Sequence, residues 1–325
     1  MDRNYILTES GPVRAPSMPT KWSFNTFKEM FDIKIVFKDD MEMEFDVIGV
    51  EPSLANAFRR ILLSEVPSIA IKEVHMYMNT SVIQDEVLCH RIGLIPLKAN
   101  PRNFEMQQEG APPSEHDTLE FELRIKCTKN NSAPAKTTEL ADLYKNHMVY
   151  SKSIKWLPMG DQDKMFSASD VGPVFDDILI AKMRPGQEIE MKMLAGKGCG
   201  KDHAKFSPVC TASYRLLPTI ELTREIDGDA AYRLQKSFSP GVIDVVQRGG
   251  KPVAVVKNAR YDNGSRNHML HSDFASFVKV GRVPDHYIFT IESVGAIEPE
   301  ELFLEAVDVL KAKCTNLLAE LNKNS

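Results

Sequence analysis

Residues 51–68, EPSLANAFRRILLSEVPS, decide how the chain is read. Leu54, Phe58, Ile61 and Leu62 fall at i, i+4, i+7 and i+8, which is one face of a helix. Pro52 suits its first turn and Pro67 ends it. Upstream, residues 31–51, FDIKIVFKDDMEMEFDVIGVE, alternate well enough for two strands around a turn at Lys38, Asp39 and Asp40. Downstream, 69–81 (IAIKEVHMYMNTS) reads as a strand, and 82–98 (VIQDEVLCHRIGLIPLK) as a short helix ended by Gly93 and Pro96.

The rest of the chain is punctuated more heavily. Residues 1 to about 25 carry Gly11, Pro12, Pro16 and Pro19 and read as a loose arm, with order expected from near Phe27. Residues 99–117 are loop-like, and 118–130, TLEFELRIKCTKN, alternate strongly. Further strand-like pieces fall at 147–157, 178–182, 187–194, 209–216 and 253–257. Residues 285–297 read as a strand, and 298–323, EPEELFLEAVDVLKAKCTNLLAELNK, as the longest helix. Pro299 sits at its start among Glu298, Glu300 and Glu301, with Lys311, Lys313 and Lys323 later, as the helix dipole prefers. Its apolar stripe runs Phe303, Ala306, Leu310, Cys314, Leu317, Leu321. The pattern is α+β.

Composition narrows the function. The chain has 325 residues, 43% of them hydrophobic, enough for one large or two moderate domains. Lys and Arg total 40 against 45 Asp and Glu, a net charge of -5 with no long basic run, which argues against binding nucleic acid through bulk electrostatics. No apolar run approaches the roughly 20 residues of a membrane span, and the first residues lack a signal-peptide core, so a soluble intracellular protein is expected. Five cysteines are scattered without a CxxC pair, which favours a reducing compartment and writes no disulfide framework.

Each catalytic pattern fails on its own chemistry. Residues 194–208, LAGKGCGKDHAKFSP, crowd Gly196, Gly198, Gly200 and Lys201 like a phosphate loop. However, Ala195 stands where a Walker A loop needs Gly, Asp202 stands where it needs Ser or Thr, and no helix opens afterwards. The plain alternative is a flexible loop between strands. Cys199, His203 and Cys210 match no common zinc spacing. Cys89 and His90 are adjacent and point apart on a helix. The acidic pairs Asp39–Asp40, Asp176–Asp177 and Glu300–Glu301 suit a turn, a loop and a helix start. No catalytic, cofactor or metal residue is assigned. Arg59 and Arg60 on the first helix read as a solvated face or a protein contact.

Several stretches carry a resemblance. SLANAFRRILLSEVPSIAI (53–71), SVIQDEVLCHRIGLIPLK (81–98), MRPGQEIE (183–190), HAKFSPVCTASYRLLP (203–218) and FTIESVGAIEPEELF (289–303) resemble, in the same order, the alpha-like subunit family of DNA-directed RNA polymerases. The likeness runs from about 28 to 322 and is nearest to the larger alpha-like subunits shared by polymerases I and III. Residues 99–118 lack the cysteines of the polymerase II counterpart's zinc loop, and the extra cysteines of many archaeal relatives are missing. Ala55 and Phe58 stand where the bacterial form usually has Gly and Leu, and no bacterial DNA-binding domain follows Ser325, so activator or promoter-element contact of the bacterial type is not expected.

The resemblance implies a non-catalytic assembly platform without cofactors. It implies a discontinuous dimerisation module at 28–80 and 231–325, strands plus two main helices, with a mostly-β domain inserted at 81–230 behind a flexible arm at 1–27. Leu54, Phe58, Ile61, Leu62, Phe303, Ala306, Leu310, Leu317 and Leu321 would pair with a smaller alpha-like subunit. Asn56, Arg59, Arg60, Lys201, His203 and Lys205 would face the second-largest subunit, with the glycine–lysine stretch as a surface loop. Small zinc-binding polymerase subunits are further implied partners; DNA would be met only through the assembled enzyme, in the nucleus and nucleolus, with assembly beginning in the cytoplasm.

Overall fold

The computed structural model describes residues 5–8, 11–14 and 23–323, apart from 109, 133–137 and 168. Its principal elements, in chain order, are β1 (Tyr5–Thr8), β2 (Gly11–Arg14), α1 (Phe24–Met30), β3 (Asp32–Lys38), β4 (Glu42–Ile48), α2 (Pro52–Ser64), β5 (Pro67–Asn79) and α3 (Asp85–Gly93). After these come β6 (Thr118–Lys126), β7 (Lys155–Leu157), β8 (Glu188–Cys199), β9 (Val209–Leu222), α4 (Asp229–Ser237), β10 (Ile243–Arg248), β11 (Lys251–Val256), β12 (Val278–Ser293) and α5 (Pro299–Lys323). Shorter strands and 3-10 turns fill the connections. The fold is α+β.

The chain divides into two compact units, each discontinuous. One comprises residues 1–36, 44–55 and 214–289; the other comprises 37–43, 56–213 and 290–325, so α5 groups with the mostly-β middle of the sequence.

The second unit is built on an antiparallel sheet of order β7-β6-β8-β5. Strand β8 buries every second residue, Ile189, Met191, Met193 and Ala195, and its register sets Met191 opposite Leu123 and Met193 opposite Phe121. Leu88 and Ile92 of α3 complete this core. The first unit has its own core, with Ala231 and Leu234 of α4 packed with Val242, Ile243 and Phe274. Another sheet has the order β9-β12-β4-β3.

Several sequence expectations need revision. The N-terminal arm contributes an antiparallel β1–β2 pair with Tyr5 opposite Arg14, and helix α1 begins at Phe24, before the expected onset near Phe27; the rest of the arm lies outside the described residues. Residues 147–157 do not form one strand, because a 3-10 turn at Ser151–Ser153 splits them. Strand β8 runs on through Gly196 and Gly198 to Cys199, so the loop of the glycine–lysine stretch begins only at Gly200. Those glycines permit close packing. A Cβ on Gly198 would lie 2.7 Å from the Phe206 ring, and one on Gly200 would collide with the Leu63 carbonyl oxygen.

Candidate interaction surface

Two surfaces emerge from the residues singled out in the sequence. The first begins where α2 meets α5: the Phe58 and Phe303 rings lie 5.2 Å apart in a tilted arrangement. Leu302 and Ala306 of α5 are fully buried, and Phe303 and Leu310 are half-buried. Lys38 pairs with Glu300, and Arg102 with Glu305. Further along, the Lys313 ammonium is 2.8 Å from the Glu65 carboxylate. The first half of α5 is therefore packed onto its own chain.

Beyond Leu310 the helix turns outward. From Lys311 to Lys323 every residue of α5 is exposed. The exposed apolar positions Leu304, Val307, Cys314, Leu318 and Leu321 follow a 3-4 spacing once Lys311 is included, with Leu317 flanking them. That spacing is the one coiled-coil seams use. Among the expected pairing residues, Ile61, Leu62 and Ala306 are buried inside the chain and Leu54 is half-buried, whereas Leu317 and Leu321 are exposed. The sequence reading missed Leu304, Val307 and Leu318. Their 3-4 spacing was present, but the 3.6-residue stripe through Phe303 and Ala306 describes the face that turns inward.

Strand β3 is exposed along its whole length, including Ile33, Ile35, Val36 and Phe37, with Phe24 and Met30 of α1 exposed before it. A strand of that composition exposed on every residue is unusual in a monomeric protein.

The other surface is polar. On α2, Arg59 donates from Nε and Nη2 to the Asn56 Oδ1 at 3.1 and 2.9 Å, and Arg60 is exposed. At the end of α2 the Ser64 carbonyl accepts the Lys201 backbone N–H at 2.8 Å, and the Glu65 carbonyl lies 3.6 Å from the Cys199 thiol. Cys199 and Lys201 thus cover carbonyls that a helix end leaves unpaired. This sets Lys201 at the C-terminal end of the helix that carries Asn56, Arg59 and Arg60, whereas Lys205 reaches the Ile71 carbonyl and His203 stands beside His90.

The model of the RNA polymerase Rpb3/Rpb11 dimerisation domain matches residues 44–314. The chain belongs to that family. It is similar to the mouse (Mus musculus) DNA-directed RNA polymerases I and III subunit RPAC1, 48% identical over 93% of this chain and 87% of the relative. The subunit of the same name from Saccharomyces cerevisiae is 47% identical over 91% of this chain and 89% of its own length. The DNA-directed RNA polymerase subunit Rpo3 of the archaeon Methanosphaera stadtmanae is 30% identical over 90% and 99%.

The Rpb3/Rpb11-type match covers both α2 and most of α5, up to residue 314. Burial pushes the thiols of Cys89, Cys127, Cys199 and Cys210 up, away from the thiolate form. For Cys89 the nearby Asp85 and Glu86 add to the effect of burial. Among the described residues, no group of three or more His, Cys, Asp or Glu is arranged to hold a metal ion, and Cys199, His203 and Cys210 form no such group.

Proposed function

We propose that this chain is the non-catalytic alpha-like subunit shared by DNA-directed RNA polymerases I and III, acting as an assembly platform. In this reading α5 and α2 pair with a smaller alpha-like subunit. Leu317 and Leu321, joined by Leu304, Val307 and Leu318, make direct contact, while Leu54, Phe58, Ile61, Leu62, Phe303, Ala306 and Leu310 set the helix that carries them. The dimerisation module comprises residues 28–80 and 231–325, with 81–230 inserted. Asn56, Arg59, Arg60, Lys201, His203 and Lys205 dock the second-largest subunit, and small zinc-binding subunits join the same assembly. DNA is met only through the complete enzyme, which transcribes ribosomal, 5S and transfer RNA in the nucleus, including the nucleolus; pairing begins in the cytoplasm.

The observation that carries this reading is the division of α5, whose first half is anchored by Leu302 and Ala306 and whose second half is exposed on every residue. The five contacting side chains, buried at about 1.5 kcal/mol each, give on the order of 7 kcal/mol before ordering costs. The test is purification of the tagged chain from its own cells with stoichiometric identification of what accompanies it. A small alpha-like chain with the large subunits of polymerases I and III, and none specific to polymerase II, is expected. Recovery of the chain alone, or with polymerase II, refutes the reading.

A further inference from the structure

A cavity of 270 Å³ opens beside the polar surface, lined by Ile71, Lys72, Val74, Cys89, His90, Gly93, Leu94, His203 and Lys205. Four of its side chains are basic or can become so, and no carboxylate lines it. Acids act on the lining from outside it: Asp117 feels the charge of Lys72, and Asp85 and Glu86 stand on the helix of Cys89.

The donors are held in place by the backbone. Lys205 Nζ donates to the Ile71 carbonyl at 2.8 Å and lies 5.3 Å from the centroid of the Phe206 ring, which leaves further N–H groups on the same nitrogen. His203 Nδ1 accepts the Lys205 backbone N–H at 3.0 Å, which leaves the ring N–H on Nε2, free to donate. The His90 ring stands edge-on to that of His203, with centroids 6.4 Å apart. Burial, and then the charge of Lys72, push the Lys205 ammonium below its ordinary pKa, so the site is short of negative charge.

We infer that this cavity receives an acidic side chain from the partner subunit docked on the polar surface, its carboxylate meeting Lys72, Lys205 and His203 and its methylenes meeting Ile71, Val74 and Leu94. The inference rests on the docking reading above. The cavity falls below the roughly 300–1,000 Å³ of small-molecule sites, which suits a side chain. No aromatic side chain except the two imidazoles lines it, so a nucleic-acid base finds no Phe, Tyr or Trp platform. A carboxylate accepting from fixed cationic donors makes charge-assisted bonds, about twice as strong as neutral ones.

The decisive experiment is zero-length carbodiimide coupling in the intact polymerase, which joins a lysine amine only to a carboxylate it already touches, followed by mass spectrometry of the linked peptides. An isopeptide bond from Lys205 or Lys72 to an Asp or Glu of the second-largest subunit is expected. A bond to an acid of a different subunit would support the cavity and overturn the docking reading. Links from Lys201 to the second-largest subunit, with none to another chain from Lys72 or Lys205, would overturn the cavity and leave the docking reading standing. As a second readout, Lys205→Glu in the full chain should cut recovery of the second-largest subunit about tenfold or more, the worth of one hydrogen bond to a charged group, with Lys205→Arg restoring it. Equal recovery with all three chains would also overturn the inference.

Discussion

At the scale of single residues, the glycine–lysine stretch shows how residue types can argue against a phosphate loop without revealing where the glycines pack. Its failure as a phosphate loop was legible, because Ala195 and Asp202 sit where the chemistry needs Gly and Ser or Thr. Its placement was not, because the glycines are explained by Phe206 and Leu63, neighbours that the spacing of the glycines does not announce. Gly200→Ala sets a Cβ against the Leu63 carbonyl, where backbone has to move, and should cost about 1–3 kcal/mol. Gly196→Ala meets its nearest atoms at 3.3 Å and should cost less. Thermal unfolding of the two variants ranks them, and an equal Tm would show that the end of α2 yields to the loop. A second residue-scale prediction concerns Arg260, which donates to Glu44 at 2.7 Å and Asp46 at 2.7 Å from a largely buried position. Arg260→Ala leaves both carboxylates without that partner and should destabilise the chain by about 3 kcal/mol. Chemical denaturation measures this, and a loss below about 1 kcal/mol would mean that water takes over the role of the guanidinium.

At the scale of elements, the amphipathic helices were the most legible part. The period through Leu54, Phe58, Ile61 and Leu62 gives α2 as Pro52–Ser64, and the stop at Gly93 gives the end of α3. Short elements were harder. The β10–β11 hairpin turns on Gly249 and Gly250, with φ of 58° and 80°, a glycine pair that does announce a tight turn, yet only the second strand was read. Helix α4 spans Asp229–Ser237, too short for its period to stand out from the surrounding loops. For α5 the period revealed the helix but could not say which face its own chain covers, since that depends on α2 and on Arg102, far away in sequence. The prediction at this scale separates the two faces. Leu318→Asp alters a side chain that is 61% exposed, so the isolated chain should keep its Tm while pairing with the smaller alpha-like subunit weakens by about 2 kcal/mol or more, roughly thirtyfold. Ala306→Asp, at a fully buried position, should lower the Tm of the chain itself. Titration calorimetry together with thermal unfolding distinguishes them, and unchanged pairing by Leu318→Asp would move the interface elsewhere.

At the scale of the whole molecule, exposure and charge point the same way. The apolar residues along β3 and the second half of α5 are more than scattered surface hydrophobics, and a chain left with them in water lowers its free energy by covering them. A net charge of -5 provides only modest repulsion against self-association. The chain expressed alone should therefore self-associate in a concentration-dependent way, while co-expression with the smaller alpha-like subunit should give a discrete heterodimer. Its Tm should rise with partner concentration, because a partner that binds only the folded chain stabilises it by about 2.7 kcal/mol at a hundredfold excess over Kd. Light scattering and thermal unfolding across a dilution series test both halves. A chain that stays monomeric at high concentration, with a Tm indifferent to the partner, would show that its exposed seam is tolerated by water and that pairing is not what the second half of α5 is for.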